Sequence, residues 1–98
     1  MKGYVVANLT VTDAAGFAEY GAKVADVVAR YDGRYLIRAG AIHPREGDLG
    51  LDRFVVLEFP SMEAAELFYS SAEYAPLLAL REATTRSQVA IVEGYEPA

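Results

Sequence analysis

The chain has 98 residues, 53% of them hydrophobic, a net charge of -5 and no cysteine. That length bounds it to one domain. The missing cysteine excludes disulfides, thiolate nucleophiles and thiolate-metal centres, and the lack of any basic run argues against nucleic acid or an anionic membrane as partner. No apolar run approaches the roughly 20 residues of a membrane-spanning helix. Asn8 and Thr10 interrupt the apolar start, and no cleavage signature follows, so it does not read as a signal peptide. A cytoplasmic protein is expected.

Lys2 to Val11 alternates as a strand, with Tyr4, Val6, Asn8 and Thr10 on one face and Val5, Ala7, Leu9 and Val11 on the other. Asp13 suits a helix N-terminus, and a helix is predicted from about Ala14 to Tyr31. Phe17, Tyr20, Val24, Val27, Val28 and Tyr31 form its apolar stripe. Asp32-Gly33 ends it. A second strand is predicted from Arg34 to about Ile42, then a polar loop from His43 to Asp52, then a third strand from Arg53 to Phe59. Ser61 opens a helix that runs to about Tyr69. Ser70-Ser71 breaks it, and a further helical segment from Ala72 to about Thr84 carries a kink or a fresh start at Pro76. Ser87 to Tyr95 reads as a fourth strand.

Strand, helix, strand, strand, helix, strand with right-handed crossovers gives an α+β, ferredoxin-like sheet in the order 4-1-3-2, with both helical layers on one face. Val6, Phe54, Val56, Ala90 and Val92 then face away from the helices. An open antiparallel sheet normally has a polar outer face, so a second copy packed sheet to sheet is the economical cover.

Asn8, Arg38 and Glu58 share that outward face in this reading. With a turn near Asp48, Arg38 stands opposite Glu58 as a cross-strand ion pair. The structural reading, a desolvated pair that fixes register or the dimer, stands ahead of the functional one. In the latter, Arg38 binds a carboxylate or enolate oxygen and Glu58 orients or acts as general base. His43, the only histidine, suits general base chemistry at neutral pH, although a lone loop histidine is more often simply exposed. With no second His or Cys, a transition-metal site is not expected, and haem ligation by His43 has no other support. Tyr20, Tyr69 and Tyr74 fit a core rim or a pocket for a small aromatic ligand. Arg81 and Arg86 are explained by the dipole of the helix that they end.

KGYVVANLTVTD, FAEY (Phe17 to Tyr20), GRYLIRAG (Gly33 to Gly40), Glu46-Gly47, VVLEFPS (Val55 to Ser61), FYSSAEY (Phe68 to Tyr74), Arg81 and VEG (Val92 to Gly94) fall in one order along nearly the whole chain. Together they resemble the domain-of-unknown-function family thirteen-thirty, of the dimeric alpha-beta barrel superfamily. The family's frequent Arg-Gly-Gly reads Arg38-Ala39-Gly40 here, its frequent tryptophan before Tyr69 is Phe68, and its frequent proline after Ser71 is Ala72. The resemblance implies a homodimer whose two sheets close a barrel. Relatives in the superfamily include cofactor-independent quinol monooxygenases, muconolactone isomerases, haem chlorite dismutases and ligand-sensing modules, so function does not follow from fold.

The expectation is a small-molecule enzyme without a cofactor, acting on an aromatic, polyketide-like or lactone-like compound held between sheet and helices. Arg38 would hold an anionic oxygen, Glu58 or His43 would move a proton, and Asn8, Tyr20, Tyr69 and Tyr74 would bind substrate. The alternatives are a non-catalytic ligand-binding or accessory dimer, and a structural partner for another protein.

Overall fold

The hydrophobic periods of the sequence become seven elements in the computed structural model, which describes residues 1–97. They are β1 (Gly3–Val11), α1 (Ala14–Arg30), β2 (Arg34–Arg38), β3 (Arg53–Phe59), α2 (Met62–Tyr69), α3 (Ala75–Thr84) and β4 (Thr85–Glu93). The strands form one antiparallel sheet in the order β2-β3-β1-β4, the expected ferredoxin-like α+β arrangement. Burial alternates along β1: Val5, Ala7 and Leu9 are buried, whereas Tyr4, Val6 and Asn8 are only partly so. Val5 of this set joins one core cluster with Tyr20, Val24, Val27 and Val28 of α1 and Phe68 and Leu77 of the second helical layer.

The first two helices start where a side-chain cap allows. Asp13 Oδ1 accepts the Gly16 N–H at 3.2 Å, and Ser61 Oγ accepts that of Ala64 at 3.0 Å. Ser71 Oγ donates to the Phe68 carbonyl and accepts from the Tyr74 N–H, so it both closes α2 and leads into α3. Pro76 sits in the first turn of α3, where its missing N–H is no loss. The second layer is therefore two separate helices, and the last one starts at Ala75 rather than Ala72. After α1, Asp32 itself takes the left-handed turn (φ 61°). Gly33 is required for space instead: a Cβ there would stand 2.5 Å from the Phe59 ring.

The second strand departs most from expectation. It ends at Arg38: Ala39 still gives its N–H to the Phe54 carbonyl at 2.8 Å, but its φ of 55° turns the chain out of the strand. Its register also differs. Arg34 pairs with Glu58 and Tyr35 with Leu57, but Ile37 pairs with Val56 and Arg38 with Val55, so Leu36 is an extra, bulged residue. Without that residue Arg38 would stand opposite Phe54 on the outward face. The bulge inverts the alternation and turns Arg38 toward the helices. The expected Arg38–Glu58 pair is thus replaced by Arg34–Glu58.

The outward face carries Val6, Phe54 and Val56, all half-buried, with Ile37 and Val92 exposed. At one end Glu58 accepts from Arg34 Nε at 2.8 Å, Tyr4 Oη at 3.0 Å and Lys2 Nζ at 3.4 Å. The Arg34 bond, seconded by Tyr4, holds the Glu58 carboxyl below its ordinary range against the opposing pull of burial. At the other end Asn8 fastens the long loop. Its Nδ2 donates to the Gly50 carbonyl at 2.9 Å and its Oδ1 accepts the Asp52 N–H at 2.7 Å.

Candidate functional site

Between the helix-facing side of the sheet and α1 lies a cavity lined by apolar residues of β1 and β3, by Phe17, Tyr20 and Val24 of α1, by Tyr35 and Arg38 of β2, and by Arg53, Phe68, Tyr74 and Arg81. It encloses about 50 Å³. That is room for a few waters, at roughly 10–15 Å³ each, and too little for a whole aromatic ring. A head group of a few atoms fits inside, and the remainder of any larger ligand would extend through the mouth. Arg38 and Arg53, both exposed, border the cavity. The Arg38 guanidinium lies 4.5 Å from the Tyr35 ring centroid and donates to the Gly21 carbonyl at 3.2 Å, while that of Arg53 stands 5.1 Å from the ring centroid of Phe17.

Arg81 is the cation within. It is only 6% exposed, a rare state for an arginine without a carboxylate partner. Nη1 donates to Tyr74 Oη at 3.4 Å and Nη2 to Tyr69 Oη at 3.2 Å, both long bonds, and Nε is buried with no acceptor. The ion pairs among the described residues engage Lys2, Lys23, Arg34 and the N-terminus, and none involves Arg38, Arg53 or Arg81. No Asp, Glu or His lines the cavity. The cavity is therefore strongly cationic inside a chain whose net charge is -5.

Tyr20 and Tyr74, both buried, share a hydrogen bond of 2.8 Å between their hydroxyls. Burial, foremost, raises the pKa of each, so both stay protonated phenols at neutral pH. Tyr74 accepts from Arg81. If it donates its own proton to Tyr20, the Tyr20 proton is left for a ligand. Tyr35, also pushed up chiefly by burial, adds a third neutral phenol to the lining.

Of the residues singled out from the sequence, Arg38, Tyr20 and Tyr74 line this cavity, and Tyr69 supports it through Arg81. Glu58 and Asn8 are on the opposite side of the sheet, engaged with Arg34 and with the loop respectively. His43 belongs to the exposed loop between β2 and β3, where it borders a separate hollow with Arg45, Glu46 and Asp48. Among the described residues no group of His, Cys, Asp and Glu is placed to hold a metal ion. Arg81 escaped as a site residue because its place near a helix C-terminus already explained it. The signal available was its spacing, four residues after Leu77 and seven after Tyr74, on the buried stripe of α3.

Fold and cavity together define an α+β, ferredoxin-like protein with a cationic, tyrosine-lined cavity on the helical side of its sheet. The chain belongs to the domain of unknown function family DUF1330, whose model matches residues 2–95. No curated protein matches it. Among solved structures it is similar to the RPA0582 protein of unknown function from Rhodopseudomonas palustris (17% identity, 98% of this chain and 84% of that one, TM-score 0.72). A methylated form of the RPA0582 protein gives 16% identity, 98% and 82% coverage, and TM-score 0.76. It is also similar to SnoaB, a cofactor-independent oxygenase from Streptomyces nogalater (18% identity, 98% and 95% coverage, TM-score 0.62). At these identities the likeness is one of fold. No helix of the described residues is long and apolar enough to cross a membrane.

Proposed function

We propose that this chain is a homodimeric small-molecule-binding protein that acts, without a cofactor, on a small aromatic, polyketide-like or lactone-like compound. The observation that carries this reading is the buried, carboxylate-free Arg81 beside Tyr20 and Tyr74 in a cavity that Arg38 and Arg53 border. A guanidinium shielded from bulk water, as Arg81 is, stabilises an enolate or phenolate oxygen more than it would in water, and so favours loss of a proton from an acidic substrate carbon or hydroxyl. Such an anion is electron-rich enough to react with dioxygen unaided. A methylene gives up two hydrogens, one oxygen atom becomes its carbonyl, and the other leaves as water. The substrate is then the reductant, and no flavin or metal is required. The same anion is the starting point of isomerisation and of cyclisation. The half-apolar outward face, with Val6, Phe54, Val56, Ile37 and Val92, supports a second copy packed sheet to sheet.

Oxygen uptake with anthrone and a panel of naphthalenediols, in chelator-treated buffer, tests the enzymatic reading, with native mass spectrometry for subunit number. Uptake in proportion to substrate, lost in Arg81→Gln while the dimer persists, is expected. A second reading, a non-catalytic binding or accessory dimer, is favoured by the absence of any carboxylate or imidazole from the lining. Ligands that raise the melting temperature yet are recovered unchanged would establish it.

A further inference from the structure

We infer that the enclosed part of the cavity is a site for a carboxylate, so that the ligand is an aromatic acid bound head first. The inference rests on the small-molecule-binding part of the reading above and adds the ligand's charge and orientation; a carboxylate on Arg81 leaves Arg38 and Arg53 to face any enolate oxygen of the same ligand. A guanidinium carries five N–H donors, and only two hydrogen bonds from Arg81 are formed, both to neutral hydroxyls at 3.2 and 3.4 Å. Nε is buried without an acceptor. An arginine in this state lacks the planar, two-oxygen acceptor that its fork matches best. The hydroxyl pair Tyr20–Tyr74, 2.8 Å apart and held neutral by burial, adds a donor for the same head group.

Volume points the same way. About 50 Å³ admits a carboxylate but not the ring that bears it. The ring would then lie in the mouth, beside Phe17 and Tyr35, whose faces already attract the guanidinium groups of Arg53 and Arg38. Those two cations, free of ion pairs, draw an anion toward the opening.

Benzoate and its neutral analogue benzamide separate charge from shape. Both are titrated into ¹⁵N-labelled wild-type protein while the arginine Nε–H resonances are followed by NMR, with Arg81 assigned by its absence in Arg81→Gln. Benzoate should move the Arg81 Nε–H signal and bind at least about tenfold tighter than benzamide, as expected for a charge-assisted bond. Arg81→Gln should remove that preference with its backbone spectrum otherwise preserved. Equal binding of the two probes would overturn the inference and leave a neutral-ligand cavity standing. No benzoate shift in the millimolar range would also overturn it. Neither result bears on oxygen uptake, so the two readings fail separately. Should Arg81→Gln not fold, the assignment passes to Arg81→Lys, and the wild-type comparison decides alone.

Discussion

Arg81→Met isolates what the buried guanidinium is for. Methionine keeps an unbranched side chain and removes the charge. The losses are two long hydrogen bonds, to Tyr69 and Tyr74. Both are long, so they fall below the about 1.5–3 kcal/mol usual for charged donors, at about 1 kcal/mol each or about 2 kcal/mol together. Tyr74 keeps its bond to Tyr20, and the partly exposed Tyr69 can turn to water. On the other side, a buried N–H without an acceptor costs about 1–3 kcal/mol, and the desolvated charge costs at least about 1–2 kcal/mol more. The balance favours the variant by about 0–3 kcal/mol, and each 1 kcal/mol raises Tm by about 4–8 °C for a domain of this size. Thermal unfolding by circular dichroism at fixed protein concentration reads it directly. Benzoate binding by the same variant should be lost. A variant destabilised by 2 kcal/mol or more would refute the reasoning, because Arg81 would then be a structural strut and not a group held in place for a ligand.

Phe68, 1% exposed and in contact with the rings of Phe59, Tyr74 and Tyr31, is the centre of the core. Phe68→Ala should cost about 3–5 kcal/mol in urea unfolding, and a loss under 1 kcal/mol would mean that the aromatic cluster is not the main support. The Glu58 carboxyl titrates lower in the folded chain than in the unfolded one. Its contribution is therefore complete above the unfolded pKa of about 4.3 and is lost as pH falls through the folded value. The Tm difference between wild type and Glu58→Gln should stay constant from neutral pH to about pH 5 and shrink as the pH falls below the unfolded pKa and through the lower folded one; a difference that persists in strong acid would assign the effect to packing. Asn8→Ala frees the loop at Gly50 and Asp52, so proteolysis between residues 43 and 51 should accelerate several-fold with Tm nearly unchanged. Equal cleavage rates would show that the loop is held by something else.

Most of the architecture could be read from period alone. Alternation in Lys2–Val11 and in Arg53–Phe59, and the stripe from Phe17 to Val28, fix which faces are apolar, and the crossover rule then leaves one strand order. The site was less legible for two physical reasons. A bulge has no sequence signature as strong as a turn's, so nothing in RYLIR announces that Leu36 stands outside the ladder and that Arg38 faces the helices. The partners of a buried cation also depend on how the chain bends between nearby helices, which the hydrophobic period does not report. Arg81 meets Tyr69 and Tyr74 only through the break at Ser70-Ser71, which returns the chain on itself. The glycine after α1 teaches the same lesson, since Asp32 supplies the turn and Gly33 makes room for Phe59, a contact between distant parts of the sequence.

The pairing of β1 with β4 constrains how the chain reaches this state. Asn8 and Gln88 lie side by side in the sheet although 80 residues apart. The carbonyl of Thr84 holds the N–H groups of Thr12 and Asp13 at 2.8 and 3.1 Å. During synthesis, Gly3–Val11 therefore emerges long before the strand that flanks it, and can pair at first only with β3. Until Thr85–Glu93 leaves the ribosome, one long edge of the central strand stays open to any other extended chain. Folding that depends on such distant contacts is slower than that of a helical bundle. The last strand is therefore the one whose loss or delay would most expose the nascent protein to aggregation.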